Sequence, residues 1–302
     1  MKPSNQPSSA GRTPSVVHTI ADLRRCVADA RRQGRKVGLV PTMGALHPGH
    51  ASLVTASAAE CGFTIVTIFV NPTQFAPSED FSKYPRTLDA DVRIVGEYGA
   101  DLVFAPSVDE VYPPGAATFV EMQGVALPLE GTFRPTHFRG VATVVLKLFN
   151  MAGADVAYFG RKDYQQTLVV KQLVRDFNVP IEIRVCPTVR EADGLAMSSR
   201  NVYLSTEERR RALVISRALR KVEASAAAGE RRISALRTTL EAVLAEEPEV
   251  RRQYAVVVDA NTLAECETLN RPCVALVAAH VGSTRLIDNV VLNGECGMGI
   301  GE

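Results

Sequence analysis

The chain has 302 residues, a formal net charge of +1 and 46% hydrophobic residues. This length exceeds one typical domain and favours two, and the apolar content is ample for a packed core. A charge near zero gives no electrostatic case for nucleic acid as a partner. No apolar stretch reaches membrane-spanning length, so we expect no membrane partner. The six dispersed cysteines suit reduced thiols in the cytoplasm better than a disulfide framework.

The first part of the chain alternates between helix and strand patterns. Residues 1–15 are rich in proline and serine and lack an apolar signal core, so we predict a disordered tail there. The alternation over residues 16–188 predicts an α/β domain, Rossmann-like, with a doubly wound and mostly parallel sheet. The predicted helices are residues 20–33, 49–60, 88–98, 141–151 and 164–177, and the predicted strands are 37–40, 63–70, 101–105, 156–159 and 181–185.

The pattern changes after about Pro187. Two arginine-containing helices are predicted at residues 207–228 and 232–245. Three β-like runs follow them, and helices before strands predict a second, smaller α+β domain over residues 189–302, which we expect to act as a lid. Glutamates interleave with the arginine clusters of the helices, so a solvated helix face is favoured over an RNA-binding surface. The β-like runs are residues 254–258, 274–279 and 285–291.

The most informative segment of the first domain is PTMGALHPGH, residues 41–50. A strand, a glycine-containing turn and a helix in succession direct backbone N–H groups and the helix dipole at an anion. His47 and His50 at the start of that helix can donate hydrogen bonds to phosphate oxygens, and Gly49 leaves room for a flat ring. The segment therefore predicts a nucleotide site, although a solvated turn or half of a metal site fits an H-x-x-H pair as well.

Two further polar loops, residues 71–75 and 160–166, each follow a predicted strand. In open α/β sheets, ligands bind outside the carboxyl ends of the strands, so we expect both loops to converge with the histidine turn. The amides of Asn71 and Gln74 suit hydroxyl and carboxylate groups, and the ammonium of Lys162 suits phosphate. Taken alone, either amide fits an ordinary loop hydrogen bond equally well.

The segment DGLAMSSRN, residues 193–201, combines a glycine, two hydroxyls, an arginine and an amide. Such a loop suits closure over the terminal phosphates of a triphosphate, although alone it also fits a helix cap. With the histidine turn, it resembles the signatures of the nucleotidylyltransferase superfamily. More narrowly, the full set of segments resembles the pantothenate synthetase (pantoate–β-alanine ligase) family. The matching segments are residues 41–50, 71–75, 84–86, 134–141, 160–166, 187–201 and 284–289.

The resemblance implies an activity, its substrates and an assembly. Members of this family join (R)-pantoate to β-alanine with ATP and Mg²⁺, through a pantoyl adenylate, and release pyrophosphate and AMP. Such chemistry depends on positioning and charge stabilisation without a covalent enzyme intermediate. Members are typically homodimers.

The resemblance also implies roles for individual residues. The catalytic residues would be His50, as the proton donor, with His47 and Lys162 on the phosphates. The ATP-binding residues would be Met43, Gly44, Ala45, Leu46, His47, Pro48, Gly49, His50, Gly160, Arg161, Lys162, Asp163, Val189, Met197, Ser198, Ser199 and Arg200. The substrate-binding residues would be Gln74, Gln166, Asn71, Tyr84 and Arg134, and Asp91 would help to hold Mg²⁺.

Two departures from the family pattern stand out. Arg161 occupies a position where the family more often has Glu or Gln, so we expect altered local charge beside Lys162. Where some members carry a run of three acids, this chain has Asp89-Ala90-Asp91, which weakens the support for Asp91 as a metal ligand. The alternatives are a simple nucleotidylyltransferase that releases an adenylated product and a non-catalytic nucleotide- or RNA-binding module.

Overall fold

The computed structural model describes residues 13–75, 81 and 84–292. The chain forms two compact units. The first comprises the chain up to residue 122 together with 136–161 and 169–187. The second comprises residues 123–135, 162–168 and the chain from 188 onward, so two short segments within the predicted first domain belong to it. Most of the predicted tail lies outside the described residues, but Ser15 already begins a strand.

The first unit contains a six-stranded sheet in the order β1-β4-β3-β2-β5-β6, and every strand pair is parallel. The strands are β1 (Ser15–Val17), β2 (Val37–Thr42), β3 (Phe63–Ile68), β4 (Leu102–Phe104), β5 (Val156–Gly160) and β6 (Glu182–Cys186). After β4, the chain crosses to the other side of β2 to form β5. The carboxyl ends of β2 and β5 therefore flank the topological switch point, where ligands bind in such folds. The predicted Rossmann-like architecture is confirmed.

The described residues form nine α-helices over the two units. These are α1 (Ile20–Arg32), α2 (Pro48–Glu60), α3 (Leu88–Glu97), α4 (Val108–Val111), α5 (Glu130–Phe133), α6 (His137–Ala152), α7 (Tyr164–Asp176), α8 (Thr206–Ala227) and α9 (Ile233–Leu244). Successive side chains of a strand point to opposite faces of the sheet, and residues on both faces of the first sheet are buried. Val66 and Tyr158 pack in one cluster with α2 and α3, whereas Phe159 contacts Phe149 of α6 on the opposite face.

The second unit contains a three-stranded antiparallel sheet of β7 (Val250–Asp259), β8 (Cys273–Val281) and β9 (Thr284–Leu292). Apolar residues of α8 and α9, including Leu219 and Leu236, are buried against one face of this sheet. Val125, Tyr164 and Leu168 pack in a smaller cluster with β7 and β8 residues. The second, α+β fold predicted from helices followed by strands is confirmed.

Several element boundaries differ from the sequence predictions. Helix α6 begins at His137, four positions before the predicted start, which was missed because His137, Arg139 and Gly140 interrupt the apolar pattern of its first turn. Strand β1 was not predicted and its first residue, Ser15, falls in the predicted tail, since a three-residue strand is stabilised by its pairing with Leu102–Phe104 more than by its own composition. None of the helices that the structure describes is apolar over a length that would cross a bilayer.

Candidate active site

The histidine turn connects the end of β2 to the start of α2. His47 is the N-cap of α2, and its Nδ1 accepts a hydrogen bond from the N–H of Gly49 at 3.1 Å. The Nδ1 of His50 accepts one from the N–H of His47 at 3.4 Å, and the two ring centroids lie 4.0 Å apart. The two imidazoles thus form a reciprocal cap in the manner of a Ser/Glu capping box.

This cap determines which nitrogen of each ring carries the proton. Since Nδ1 accepts a hydrogen bond, the neutral imidazole carries its proton on Nε2. His47 and His50 therefore both present an Nε2–H donor beside the first turn of α2. Two ring donors and the positive end of a helix dipole are suited to binding phosphate oxygens.

Asp91, in the first turn of α3, holds the histidine turn in shape. Its side chain is 1% exposed, and its two oxygens accept the N–H groups of Ala45 at 3.0 Å and Leu46 at 2.9 Å. Thr87 donates a further hydrogen bond at 3.1 Å. Ala45 has φ +51°, a left-handed conformation that costs energy in a residue with a Cβ, so these bonds stabilise a strained backbone.

The same three hydrogen bonds bear on the metal-binding role predicted for Asp91. Both of its carboxylate oxygens face donors of the protein, and an Mg²⁺ ligand would need an oxygen directed at the metal. In the part of the chain that the structure describes, no three His, Cys, Asp or Glu side chains form a group able to hold a metal ion. The geometry supports Asp91 as a positioning residue.

The loop that follows β3 is organised by Asn71, whose side chain is 1% exposed. Its amide nitrogen donates to Gln74 Oε1 at 3.1 Å and to the carbonyl oxygen of Gly140 at 3.2 Å. Its Oδ1 accepts from the hydroxyl of Tyr112 at 2.9 Å. With these partners, Asn71 orients the side chain of Gln74. Gln74 Nε2 in turn lies 2.9 Å from the sulfur of Met43, so the loops after β2 and β3 meet.

Helix α6 packs against the loop that carries Gln74. Nδ1 of His137 hydrogen-bonds the carbonyl oxygen of Gln74 at 3.0 Å. At Gly140, a Cβ would lie 2.3 Å from the carbonyl oxygen of Thr73, so only glycine permits this approach of helix and loop. Tyr84, which was predicted to bind substrate, is buried and lies 5.9 Å from the ring of Phe75 in an edge-on contact.

Three residues that position the site are not predicted from the sequence: Tyr112, His137 and Gly140. His137 and Gly140 lie in segment 134–141, which matches the family pattern, so a signal for them was present. Tyr112 had none, because it ends a four-residue helix and reaches Asn71 only through the tertiary fold.

Arg161, Lys162 and Asp163 form a single 3-10 turn directly after β5. The ammonium of Lys162 lies 3.6 Å from a carboxylate oxygen of Asp163, and the Lys162 side chain is 20% exposed. Its main-chain carbonyl oxygen accepts a hydrogen bond from Asn289 Nδ2 at 2.9 Å. Burial raises the pKa of the Cys186 thiol, and the positive charge of Arg161 offsets part of that rise. The convergence of this loop with the histidine turn stays a prediction.

Gln165 and Gln166 are adjacent in sequence but differ in environment. Gln165 is buried, and its amide nitrogen donates to the carbonyl oxygens of Val125 at 2.8 Å and Pro128 at 2.7 Å. Its Oε1 accepts the N–H of Glu130 at 3.0 Å. Gln165 therefore anchors a neighbouring segment of the second unit, whereas Gln166, the predicted pantoate ligand, is only half-buried.

Arg134 belongs to a buried ionic cluster in the second unit. Its guanidinium lies 3.7 Å from the carboxylate of Glu130, which also accepts hydrogen bonds from Arg285 at 2.8 Å and from the Tyr254 hydroxyl at 2.7 Å. Burial acts to raise the pKa of Glu130, but the hydrogen bond and charge of Arg285 outweigh it and hold that pKa below its usual value. The carboxylate consequently stays ionised and fixes both arginines.

Val189 and Met197, both predicted to bind ATP, face each other in one hairpin. The N–H of Met197 donates to the carbonyl oxygen of Val189 at 3.0 Å, and Gly194 forms the bend with φ +93°. After the hairpin, Ser198 caps a 3-10 turn by accepting the N–H of Arg200 at 3.2 Å. Val189 and the Met197–Arg200 segment, including Ser199, are therefore neighbours within the second unit.

The pantoate-beta-alanine ligase family profile matches residues 15–291 of the chain. The chain belongs to the pantoate-beta-alanine ligase family. The pantothenate synthetase of Acidobacterium capsulatum is 54% identical over 285 residues, which cover 91% of this chain and 95% of that protein. The pantothenate synthetase of a Roseiflexus species is 56% identical over 277 residues, which cover 92% of this chain and 99% of the relative. The predicted family is confirmed.

Solved structures of pantoate-beta-alanine ligases share the fold. The pantothenate synthetase of Thermus thermophilus superimposes with a TM-score of 0.88 at 45% identity, covering 91% of this chain and 98% of that one. The Francisella tularensis ligase, solved with beta-gamma ATP and beta-alanine, gives a TM-score of 0.76 at 35% identity, covering 92% of this chain and 97% of that one.

Proposed function

We propose that this protein joins (R)-pantoate to β-alanine at the expense of ATP, through a pantoyl adenylate, and releases pyrophosphate and AMP. Family membership over nearly the whole chain supports the reaction. The structural observation that carries it is the reciprocal histidine cap, which presents two Nε2–H donors at the start of α2. A site of that kind is suited to the charge that develops on phosphate oxygens.

In the first step, a carboxylate oxygen of pantoate attacks the α-phosphorus, and the bond from that phosphorus to the pyrophosphate oxygen breaks. Negative charge grows on the non-bridging oxygens and on the leaving pyrophosphate. His47 and His50 donate hydrogen bonds to the phosphate oxygens, and His50 also acts as the proton donor. The ammonium of Lys162 balances the negative charge on the leaving pyrophosphate. The other ATP contacts come from the turn residues 43–49, from Gly160, Arg161 and Asp163, and from Val189, Met197, Ser198, Ser199 and Arg200.

In the second step, the amine of β-alanine attacks the acyl carbon of pantoyl adenylate, AMP leaves with the electrons of the broken C–O bond, and the nitrogen releases a proton to water. The Gln74 amide holds pantoate and β-alanine, and Gln166 holds pantoate. Asn71 acts through Gln74, because its own hydrogen-bonding groups are already occupied by Gln74, Gly140 and Tyr112. Tyr84 and Arg134 are the remaining proposed substrate contacts.

We propose that Mg²⁺ enters as Mg·ATP and takes its ligands mainly from the phosphates and water. Mg²⁺ commonly keeps several waters and binds substrate phosphates with few protein carboxylates. The hydrogen bonds of Asp91 to the histidine turn fit this arrangement better than direct ligation does.

The assay follows pyrophosphate, AMP and pantothenate by mass spectrometry. Pyrophosphate release should require ATP, Mg²⁺ and pantoate together, and AMP release should also require β-alanine. His50→Ala and Lys162→Ala should each lower kcat about a hundredfold or more, as loss of a transition-state donor does. Near wild-type rates in both variants would refute these roles. An adenylated product released without an amine would favour the simple nucleotidylyltransferase, and steeply salt-dependent RNA binding without turnover would favour the binding module.

We also propose a cytoplasmic homodimer. The resemblance supports the dimer, and the free thiols of Cys26, Cys61, Cys186, Cys266 and Cys273 suit a reducing compartment. Sedimentation equilibrium of the purified protein measures the assembly, and a monomer at micromolar concentration would contradict it.

A further inference from the structure

The C-terminal segment that matches the family pattern, residues 284–289, contributes no residue to the proposed reaction. In the structure it forms most of β9, which pairs with β8 along its whole length from Thr284 to Leu292. A strand paired throughout is a more rigid support than a loop. Its polar side chains at Arg285, Asp288 and Asn289 are largely buried and contact other segments of the second unit.

Each of these three contacts reaches a segment that carries proposed site residues. Arg285 hydrogen-bonds Glu130, which also pairs with Arg134. Asp288 accepts two hydrogen bonds from the guanidinium of Arg190, at 2.6 and 3.0 Å. Arg190 pairs with Ala196 across the hairpin that carries Val189 and Met197. This bidentate ion pair therefore anchors the hairpin, and with it both proposed ATP-binding residues.

Asn289 makes the contact closest to the chemistry. Its Nδ2 donates to the main-chain carbonyl oxygen of Lys162 at 2.9 Å, and the Asn289 side chain is 3% exposed. Lysine carries its charge on a flexible four-carbon stem, so the position of the ammonium depends on where the main chain is anchored. Misplacing a catalytic group by about 1 Å can lower the rate about a hundredfold.

We infer that Arg285, Asp288 and Asn289 form a β9 latch that sets the positions of three site segments, and that Asn289 is a positioning residue for Lys162. This inference rests on the role proposed for Lys162. The latch uses both faces of the strand, because Arg285 and Asn289 alternate with Asp288 along it. Leu286 and Leu292, on the Asp288 side, pack in the α8–α9 core, which holds the strand in place.

The test is a double-mutant cycle between Asn289→Leu and Lys162→Ala, measured as the rate of pyrophosphate release from ATP and pantoate. Leucine keeps the branched shape of asparagine and removes the donor. If Asn289 acts through Lys162, Asn289→Leu should lower kcat about tenfold or more in the wild type and less than about twofold in the Lys162→Ala background. A merely structural role would reduce the active fraction equally in both backgrounds.

Two further variants keep the cycle interpretable. Thr284→Val removes a buried hydroxyl from the same strand and should leave kcat and both KM values unchanged. Asn289→Asp keeps the shape but replaces the donor with a carboxylate; its rate relative to wild type should recover as the pH falls, because a protonated carboxyl can donate to the Lys162 carbonyl. A pH-independent ratio would contradict the inference, as would equal losses in the two backgrounds of the cycle.

The outcomes separate this inference from the proposed function. If Lys162→Ala retains the wild-type rate, the role of Lys162 fails, and the inference fails with it. If Lys162→Ala loses activity but the Asn289→Leu loss simply adds to it, the role of Lys162 stands and the latch alone is refuted.

Discussion

Gly140→Ala should impair the reaction without removing any chemical group. The added Cβ would lie 2.3 Å from the carbonyl oxygen of Thr73 and 2.7 Å from the Cα of Gln74. Both neighbours are backbone atoms, so helix and loop must separate by about 0.7 Å before the nearest contact reaches 3.0 Å. Overpacking of this kind costs about 1–3 kcal/mol of stability. The displaced loop carries Gln74, and a shift on the order of 1 Å lowers rates about a hundredfold.

The assay measures kcat/KM for pantoate and for β-alanine, and the melting temperature of the same preparation is measured in parallel. Gly153→Ala is the matched control, since it makes the same change at the other end of α6, about 20 Å away at 1.5 Å per residue. Gly153 has φ +53° and open space around it, so this variant should lose stability through backbone strain alone. If Gly140→Ala loses no more activity than Gly153→Ala, the supporting role of the helix is refuted.

Three further predictions concern other contacts. Asp91→Asn should lower kcat about tenfold or more while leaving the Mg²⁺ concentration for half-maximal rate unchanged, and a raised Mg²⁺ requirement would instead indicate metal ligation. Gly38→Ala should destabilise the fold, because its Cβ would meet Ser57 Oγ at 2.2 Å, and adding Ser57→Ala should restore part of the melting temperature. Glu130→Gln should cost about 3–5 kcal/mol at neutral pH, because Arg285 then lacks its buried partner. The pKa of Glu130 in the folded protein is lowered from its usual 4.5. The contribution of the Glu130 carboxylate to stability is therefore complete above pH 4.5 and is lost as the pH falls through the folded-state pKa. The free energies of unfolding of wild type and variant, measured in urea, should converge in acid.

The elements of the sheet were predictable because their sequences match their environments. Residues 37–40 and 63–70 are apolar runs, and β2 and β3 are internal strands buried on both faces. The histidine turn was predictable for a similar reason, since strand, glycine and helix follow one another within ten residues. Local sequence determines such features, and no distant contact is needed to infer them.

Hydrogen-bond partners were not predictable in the same way. Asn71 and Asp91 were expected to face substrate and metal, but each is occupied by backbone or side-chain groups from other elements. Gln165 and Gln166 have the same side chain, and only tertiary packing determines which of them anchors the backbone. The division of the chain into units is likewise a property of contacts between distant segments, which composition does not encode.

The histidine cap shows how one pair of side chains serves both the fold and the site. An ordinary N-cap uses a Ser, Thr, Asp or Asn oxygen, which accepts a backbone N–H at the start of the helix. An imidazole has two nitrogens, so Nδ1 of His47 and of His50 accepts from the backbone while Nε2–H lies on the other side of the ring. The capping bonds also restrict rotation of the rings, and a donor held in place before the substrate binds needs no reorganisation as charge develops. Asp91 adds to this by holding the preceding backbone at Ala45 and Leu46. The histidine turn is thus preorganised from both ends by contacts within the first unit.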